Sequence, residues 1–249
     1  MGVICYQKSE DMVFADLGNG ISRAEMLPGM VEGVNTYKCV VKAGTVVELE
    51  TFGDRTQIYY FTKGQGFVVT DNKAFNIDEP AIFIPNMDLE KNVLHAVTDM
   101  EFLQLICTML PEDYERFEKW HIELPRFCPT SQSIRYKEGF RPDGIKAYSI
   151  LDTDFLTRMT MGAIIGTGPN KAAPHSHDNL RQWYYGMPGT SFIYRAAGEE
   201  IELKEGDWAY IPTDIEHAIE VEEGKFVHYV WFETELTKAE LAAKKAGKQ

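Results

Sequence analysis

The stretch HSHDNLRQWYYGMPG occupies residues 175–189 and decides most of what this chain can be. His175 and His177 lie one residue apart, and in an extended strand this spacing directs both imidazoles to one face. Gln182 opens an aromatic run that is typical of a second strand after a polar turn. A further histidine, His217, follows another short apolar strand. We therefore predict four metal ligands that converge on one divalent ion: His175, His177, Gln182 and His217.

The spacing of these residues resembles the first of the two sequence motifs of the cupin superfamily. That motif has the form HxH(x)3,4E(x)6G, and its core is matched by His175, His177, Gln182 and Gly189. The important departure is Gln182, because the family usually has glutamate there. The glycine that leads the motif has no exact counterpart, since Gly168 lies one residue further from His175 than the motif asks.

The second cupin motif is also matched in part. Gly206, Pro212 and His217 are in place, whereas Asp214 replaces an inner glycine and Val221 a terminal asparagine. The resemblance implies a small antiparallel β-barrel, or jelly roll, with the metal ion inside its open mouth.

A second copy of the pattern lies in the first half of the chain. Residues 57–64 (QIYYFTKG) align without a gap on residues 182–189 (QWYYGMPG), at an offset of 125 residues. A period of this length suits duplicated domains rather than a solenoid. We therefore expect an all-β bicupin, with two tandem cupin barrels joined by a short helix and a linker. The expected parts are an N-terminal barrel at 1–110, a connecting helix and linker at 111–144, a metal-binding barrel at 145–236 and a helical tail at 237–249.

The repeat assigns the metal to the C-terminal barrel only. The four positions of the first copy that correspond to the predicted ligands hold Glu50, Phe52, Gln57 and His95. Phe52 cannot bind a metal, and His95 follows an insertion. We therefore expect a degenerate N-terminal barrel, with a satisfied polar cluster in place of a metal site.

Two helices are predicted outside the barrels. Residues 111–120 start with proline and acidic residues and carry aromatic side chains at helical spacing. Thr237 is a suitable N-cap for a short helix that runs through Lys245. The proline-containing stretch from residue 121 to about Gly144 is interpreted as the interdomain linker.

Composition excludes several classes of function. The chain has 249 residues and is 44% hydrophobic, which is sufficient for packed cores. Its formal charge of -13 argues against a nucleic-acid partner, which requires clustered Lys and Arg. It has no signal-peptide pattern and no run near the ~20 apolar residues of a membrane span, so we expect a cytoplasmic protein without a membrane partner. The four cysteines lack CxxC spacing and are expected to be reduced thiols.

The predicted ligand set favours an anionic substrate. Three imidazoles and one amide are neutral and cancel none of the charge of a divalent ion, whether Zn, Fe, Mn or Ni. Such an ion is a strong Lewis acid toward carboxylate, carbonyl or enediolate oxygens. The quartet is also similar to that of the small cupin enzymes that convert unsaturated uronates into linear keto sugars. We therefore expect isomerase or lyase chemistry on a small oxygenated substrate, such as a sugar acid or a keto acid.

Two other functions stay open at this stage. One is an iron-dependent dioxygenase that acts on a diol or a diketone, because several bicupins are dioxygenases and the ligand set leaves coordination positions open. The other is a bicupin that binds a ligand without turnover.

Strand parity suggests which residues contact the substrate. Tyr184 shares a face with Gln182 and should point toward the metal. Arg181 lies beside a ligand and is predicted to pair with a substrate carboxylate. We expect a small-molecule substrate and a homodimer, with the N-terminal segment as a strand that one copy donates to the other.

Overall fold

The computed structural model describes residues 2–153 and 155–247, which divide into two compact units. The N-terminal unit comprises residues 10–114 and 121–133. The C-terminal unit comprises the described residues within 1–9, 115–120 and 134–249. Each unit has its own hydrophobic core.

The described residues are mostly β-structure. In chain order, the first strands are β1 (Cys5–Gln7), β2 (Ala15–Gly18), β3 (Ile21–Glu25), β4 (Val34–Val41), β5 (Val46–Glu48), β6 (Arg55–Lys63), β7 (Gly66–Val69), β8 (Ala74–Ile77), β9 (Ala81–Ile84), β10 (Val93–Ala96) and β11 (Met100–Thr108). They are followed by β12 (Arg126–Pro129), β13 (Ile134–Tyr136), β14 (Ile145–Leu151), β15 (Met159–Thr167), β16 (Asn170–Lys171), β17 (Leu180–Gly186), β18 (Ser191–Ala196), β19 (Glu199–Lys204), β20 (Trp208–Ile211), β21 (His217–Val221) and β22 (Phe226–Glu235). The helices are α1 (Pro111–Trp120) and α2 (Lys238–Ala246).

Both predicted helices are confirmed. The first spans the predicted residues, and its first turn contains Glu112 and Asp113. The second begins after Thr237, whose side chain accepts a hydrogen bond from the Glu240 amide while the Glu240 side chain accepts one from the Thr237 amide. This reciprocal arrangement satisfies two amides at the helix start, which explains why α2 begins where the sequence predicts.

The two units repeat one sheet topology within the described residues. The N-terminal unit has a seven-stranded sheet in the order β12-β9-β6-β11-β4-β3-β2 and a four-stranded sheet in the order β5-β10-β7-β8. The C-terminal unit has the orders β1-β20-β17-β22-β15-β14-β13 and β16-β21-β18-β19. Every strand of one unit has a counterpart in the other, and the strand pairs are antiparallel. The all-β prediction of two tandem jelly rolls is confirmed.

The outer strand at one edge of each large sheet comes from a distant part of the sequence. Strand β1 pairs with β20, so the first nine residues belong to the C-terminal unit. Strand β12, from the predicted linker, pairs with β9 of the N-terminal unit. The boundaries of the two units therefore differ from those predicted from the sequence. The reason is that β1 and β12 each satisfy the main-chain hydrogen-bonding groups at the edge of a sheet. Strand β1 pairs within its own chain here. The homodimer and the donation of the N-terminal segment stay predictions.

Asp207 holds this N-terminal segment in place. Its buried carboxylate accepts hydrogen bonds from the Tyr6 hydroxyl at 2.5 Å, the Ser9 amide at 2.8 Å and the Lys204 amide at 2.9 Å. Glu199 also accepts main-chain hydrogen bonds from residues 3 and 4. Both acidic residues therefore have structural roles at this edge.

Strand β17 positions the candidate site because it is buried on both faces. On one face Trp183 packs against Tyr210 and Phe232, with ring centroids 4.9 and 5.1 Å away. On the other face Gln182 and Tyr184 are also buried, and Tyr184 belongs to the C-terminal core. Successive side chains of a strand alternate between faces, so the aromatic run both builds the core and turns Gln182 inward.

Two further expectations can be compared with the structure. No helix in the described part of the chain is long and apolar enough to cross a bilayer. The four cysteines are free thiols, as predicted, and Cys39 and Cys107 are buried.

Candidate metal centre

Three histidines converge in the C-terminal unit. His175 and His217 form an isolated antiparallel bridge and exchange main-chain hydrogen bonds of 3.0 and 2.9 Å. Their ring nitrogens and that of His177 lie within 4.8 Å of one another. His217 is buried, whereas the other two are half-buried. Among the described residues this is the only group of three or more His, Cys, Asp or Glu side chains that could hold a metal ion.

The environment of the imidazoles fits a metal ion. The Nδ1 atoms of His175 and His217 lie 3.2 and 3.0 Å from the carbonyl oxygens of Ala173 and Ile215. A proton on each Nδ1 is donated to that carbonyl, which leaves the Nε2 lone pair for an ion. Burial lowers the pKa of His217 to about 3 and that of His175 to about 4, and it also lowers the pKa of His177. All three are therefore neutral at pH 7, as metal ligands must be.

Gln182 has both ends of its amide engaged. Its Nε2 donates to the carboxylate of Glu233, and its Oε1 accepts a hydrogen bond of 2.8 Å from the Tyr184 hydroxyl. The same hydroxyl lies 3.2 Å from Nε2 of His217. The amide oxygen thus faces the histidine side of the cavity. Gln182 as a fourth ligand stays a prediction.

Glu233 was not found by sequence reasoning. It lies directly opposite Gln182 in the β17–β22 pair and is buried. Burial raises the pKa of Glu233 to about 7. The hydrogen bonds from Gln182 and from the Thr160 hydroxyl at 3.1 Å act in the opposite direction and lower it. No local pattern in the sequence marks this residue, because only the register between two strands brings it beside Gln182.

The histidines open into a cavity of about 180 Å³. Besides the four predicted ligands and Tyr184, the residues that line it include Tyr136, Glu138, Arg141, Tyr229, Trp231 and Glu233. The cavity therefore combines side chains that could hold a metal ion with one cation, two carboxyl groups and several aromatic rings.

The stretch around residues 136–141, predicted to be linker, forms one wall of this cavity. The Phe140 ring stacks on His175, with centroids 3.8 Å apart. The side chain of Arg141 is 9% exposed, lies over the Phe140 ring and forms an ion pair with Glu138. Burial opposes its charge, but Tyr229 and Glu138 raise the pKa of the guanidinium, so Arg141 stays cationic. In the sequence, Glu138 and Arg141 lie beside the aromatic Phe140, and this could have marked them as site residues. The prolines of the region favoured the interpretation as a linker instead.

Arg181 needs a correction, since it does not line the cavity. It forms an ion pair with Glu240 of α2. Arg181 precedes the inward-facing Gln182 in the same strand, so it faces the opposite side. The arginine of the cavity is Arg141, and the geometry does not support a contact between Arg181 and a substrate.

Tyr184 does face the cavity, as the strand parity predicts. Its hydroxyl contacts Gln182 and His217, two of the predicted ligands. Burial raises its pKa well above the ordinary value. Tyr184 is therefore a neutral hydrogen-bond donor at pH 7, while its direct role in a reaction stays a prediction.

The corresponding positions of the N-terminal unit are arranged differently. Glu50 accepts hydrogen bonds from Arg23 at 2.7 Å and from Gln104 at 3.1 Å. The His95 ring stacks on Phe67 at 4.5 Å between centroids, and His95 does not line the N-terminal cavity. His95 and His217 align in the sequence, but only His217 points into the cavity of its unit.

Comparison with known proteins supports this picture of the fold. Residues 163–233, which contain all four predicted ligands, match the family model described as "Cupin domain". This segment is thus similar to a cupin domain, and the chain as a whole has the fold of a two-domain cupin, or bicupin. No curated protein shows significant sequence similarity to the chain.

Solved structures resemble the chain over almost its full length. A Pseudomonas aeruginosa protein described as glyoxylate-induced has a TM-score of 0.79 at 10% identity, over 95% of this chain and 90% of its own. The protein Ylba from E. coli has a TM-score of 0.72 at 12% identity, over 94% and 91%. Oxalate decarboxylase from Lactobacillus farciminis, solved as a formate complex, has a TM-score of 0.70 at 10% identity, over 96% and 90%. At these identities the similarity establishes the fold alone.

Proposed function

We propose that the protein is a divalent-metal-dependent bicupin enzyme that acts on a small oxygenated substrate with a carboxylate group. Sugar acids and keto acids are the substrate classes that fit, and isomerase or lyase chemistry is the proposed reaction type. The observation that carries the proposal is the convergence of three neutral imidazoles and a buried arginine on one cavity of about 180 Å³.

The charges of the cavity favour an anionic substrate. His175, His177 and His217, with Gln182 as the predicted fourth ligand, would hold the ion, which when bound supplies Lewis acidity toward a substrate oxygen. These side chains are neutral, so they cancel none of its charge. The Arg141 cation is balanced by Glu138, and the raised pKa of Glu233 reduces the negative charge of the remaining carboxyl group. The net potential of the loaded site is therefore positive.

The residues around the ligands have distinct proposed roles. Arg141 presents a planar group with five N–H donors, of which only part is used by Glu138 and Tyr229, and such a group suits a carboxylate. The Tyr184 hydroxyl donates its proton to Oε1 of Gln182 and so holds that amide oxygen beside the proposed ion site. Glu138 is more exposed than Glu233 and is the proposed proton acceptor of the cavity.

The structural neighbours support the substrate class without establishing it. Oxalate decarboxylase acts on a small carboxylate, and the neighbouring structure was solved with formate, another small carboxylate. A cavity of this volume in the present chain is suited to ligands of similar or moderately larger size.

Turnover by defined metal forms tests the proposal. The protein is stripped of metal, reloaded separately with Zn, Mn, Fe or Ni, and incubated with unsaturated uronates, keto acids and oxalate while NMR follows the substrates. We expect turnover of at least one carboxylate substrate, which His217→Ala abolishes. Oxygen uptake with diols by the iron form would instead favour a dioxygenase. Tight binding without turnover in every metal form would favour a binding protein.

A further inference from the structure

A second cavity lies in the N-terminal unit and is independent of the metal centre. Its volume is about 280 Å³, larger than that of the cavity beside the histidines. This is close to the lower end of the ~300–1,000 Å³ that is typical of ligand pockets, so it suits a small ligand. The residues that line it come from β2 to β6 and β11, with loop residues between these strands.

One end of this cavity is a charged and hydrogen-bonded cluster. Nη1 of Arg23 donates to Glu50 at 2.7 Å and to Gln104 at 3.3 Å. Nε2 of Gln104 lies 3.1 Å from Glu50 and 3.2 Å from the Tyr59 hydroxyl. Gln104 is only 2% exposed, so the cluster reaches into the unit. Polar groups at this depth need fixed partners, and here they hold one another in place.

The cluster has hydrogen-bonding capacity left on the cavity side. Within the described residues, the hydrogen bonds of Arg23 use Nη1 and those of the Glu50 carboxylate use Oε2. Nη2 and Nε of Arg23 are thus available as donors, and Oε1 of Glu50 is available as an acceptor. The two side chains are 24% and 51% exposed, so a ligand that enters the cavity can reach both.

Apolar side chains surround the rest of the cavity. Phe102 and Leu49 are buried in its wall, while Leu17 and Val46 line it although they are 47% and 56% exposed. Leu17 lies in β2, the outermost strand of the large sheet, and all residues of β2 are exposed. An apolar rim around a polar end is suited to a ligand that has both hydroxyl groups and a carbon framework.

From this arrangement we infer that the N-terminal cavity binds a small neutral polyhydroxyl compound, such as a polyol or a monosaccharide. Arg23 and Glu50 balance each other in charge, and the remaining acidic group, Glu48, forms an ion pair with Lys91 at 2.6 Å. An anion would compete with Glu50 for Arg23, and a cation would compete with Arg23 for Glu50. Two neighbouring hydroxyl groups, each both donor and acceptor, can bridge the pair without separating it.

Saturation-transfer NMR on the full chain tests this inference. The probes are glycerol, erythritol, xylose, glucose and myo-inositol, with pyruvate as the anionic comparison, and EDTA is present throughout. We expect saturable binding of at least one polyhydroxyl probe and no comparable binding of pyruvate. Glu50→Gln, which keeps the shape of the side chain, should weaken that binding about tenfold because it removes a charged acceptor.

Control variants separate this site from the metal centre. Asp71→Asn removes an exposed carboxylate of the same unit outside the cavity and should leave binding unchanged. His217→Ala should also leave it unchanged. Arg23→Met is a second test of the pair if Glu50→Gln alters the melting temperature. The inference is overturned if no polyhydroxyl probe binds, if pyruvate binds more tightly, if both variants of the pair bind normally, or if His217→Ala abolishes binding.

Discussion

Gln182 and Glu233 face each other across the antiparallel pair β17–β22, and the amide nitrogen of Gln182 donates to the Glu233 carboxylate. The cupin motif usually has glutamate at the position of Gln182. This chain therefore has a neutral side chain at the motif position and a carboxyl group on the adjoining strand. The hydrogen bond fixes the amide so that its oxygen faces Tyr184 and His217.

Glu233→Gln should weaken metal binding about 10–100-fold, the usual cost of losing a partner that orients a metal ligand. In the variant, the amide at position 233 offers two N–H donors beside one acceptor oxygen, so it no longer fixes the orientation of the Gln182 amide. Competition with a fluorescent chelator measures the dissociation constant, and circular dichroism checks the fold. The matched control is Glu235→Gln on the same strand, where the carboxylate pairs with Arg116. Equal effects of both variants would argue against an orienting role for Glu233.

His175→Ala and His217→Ala should each remove the metal and leave the fold intact. The purified protein is expected to contain about one divalent ion per chain, as measured by mass spectrometry of the metal content, because one three-histidine cluster can hold one ion. His95→Ala is the control, since His95 stacks on Phe67 in the other unit. Full metal content in both histidine variants of the C-terminal unit would refute the site.

Arg141→Leu should weaken the binding of a small carboxylate at least tenfold, or about 1.4 kcal/mol, while metal content stays unchanged. The reason is the loss of the cation that lines the cavity. Titration calorimetry of the metal-loaded protein with pyruvate provides the measurement. Arg181→Leu removes the arginine that pairs with Glu240 outside the cavity and should have little effect. The reverse result would restore Arg181 as the substrate contact.

The metal-free C-terminal unit should lose stability as the pH falls below about 6.5. Burial lowers the pKa of His217 from 6.5 to about 3 and that of His175 to about 4, so in this range the unfolded chain binds protons that the folded chain excludes. The stabilisation is complete above the unfolded pKa and decreases toward acid, by at most ~1.4 kcal/mol per pH unit for the His217 proton. Glu233 acts in the opposite sense, because its pKa is raised to about 7 and the folded chain holds a proton between 4.5 and 7.

Urea unfolding in EDTA between pH 4.5 and 7 measures how the free energy of unfolding depends on pH and so tests both the histidine and the Glu233 contributions. His217→Asn should give a shallower pH dependence than the unsubstituted protein, and Glu233→Gln a steeper one. Identical slopes in all three proteins would show that these groups do not govern the acid sensitivity.

Asp207→Ala should destabilise the C-terminal unit by about 2–3 kcal/mol, because three donors lose a buried carboxylate acceptor. The edge strand β1 should then detach first, which hydrogen exchange of the Tyr6 amide would report. Glu216→Ala is the control, since Glu216 is an exposed acidic residue of the same unit. Unchanged exchange at β1 in Asp207→Ala would mean that main-chain pairing alone holds the segment.

Local patterns predicted much of the fold and part of the site. The capping residues around α2, the aromatic run of β17 and the gapless repeat of residues 57–64 depend on near neighbours or on direct duplication, so they were visible in the sequence. Parity within β17 also predicted that Tyr184 faces inward. The prediction that Arg181 contacts the substrate was wrong, because Arg181 lies on the opposite face of β17 and pairs with Glu240.

The sequence by itself determined that this chain folds into two similar β-units and that one of them contains three histidines with ligand spacing. Only the tertiary structure decided which groups surround them: Glu233 opposite Gln182, Arg141 in the wall, and β1 at the edge of the distant sheet. The physical reason is the range of the interactions. Strand periodicity and capping are written in consecutive residues, whereas register and edge pairing are fixed by packing between segments far apart in the chain, which leaves no local signal.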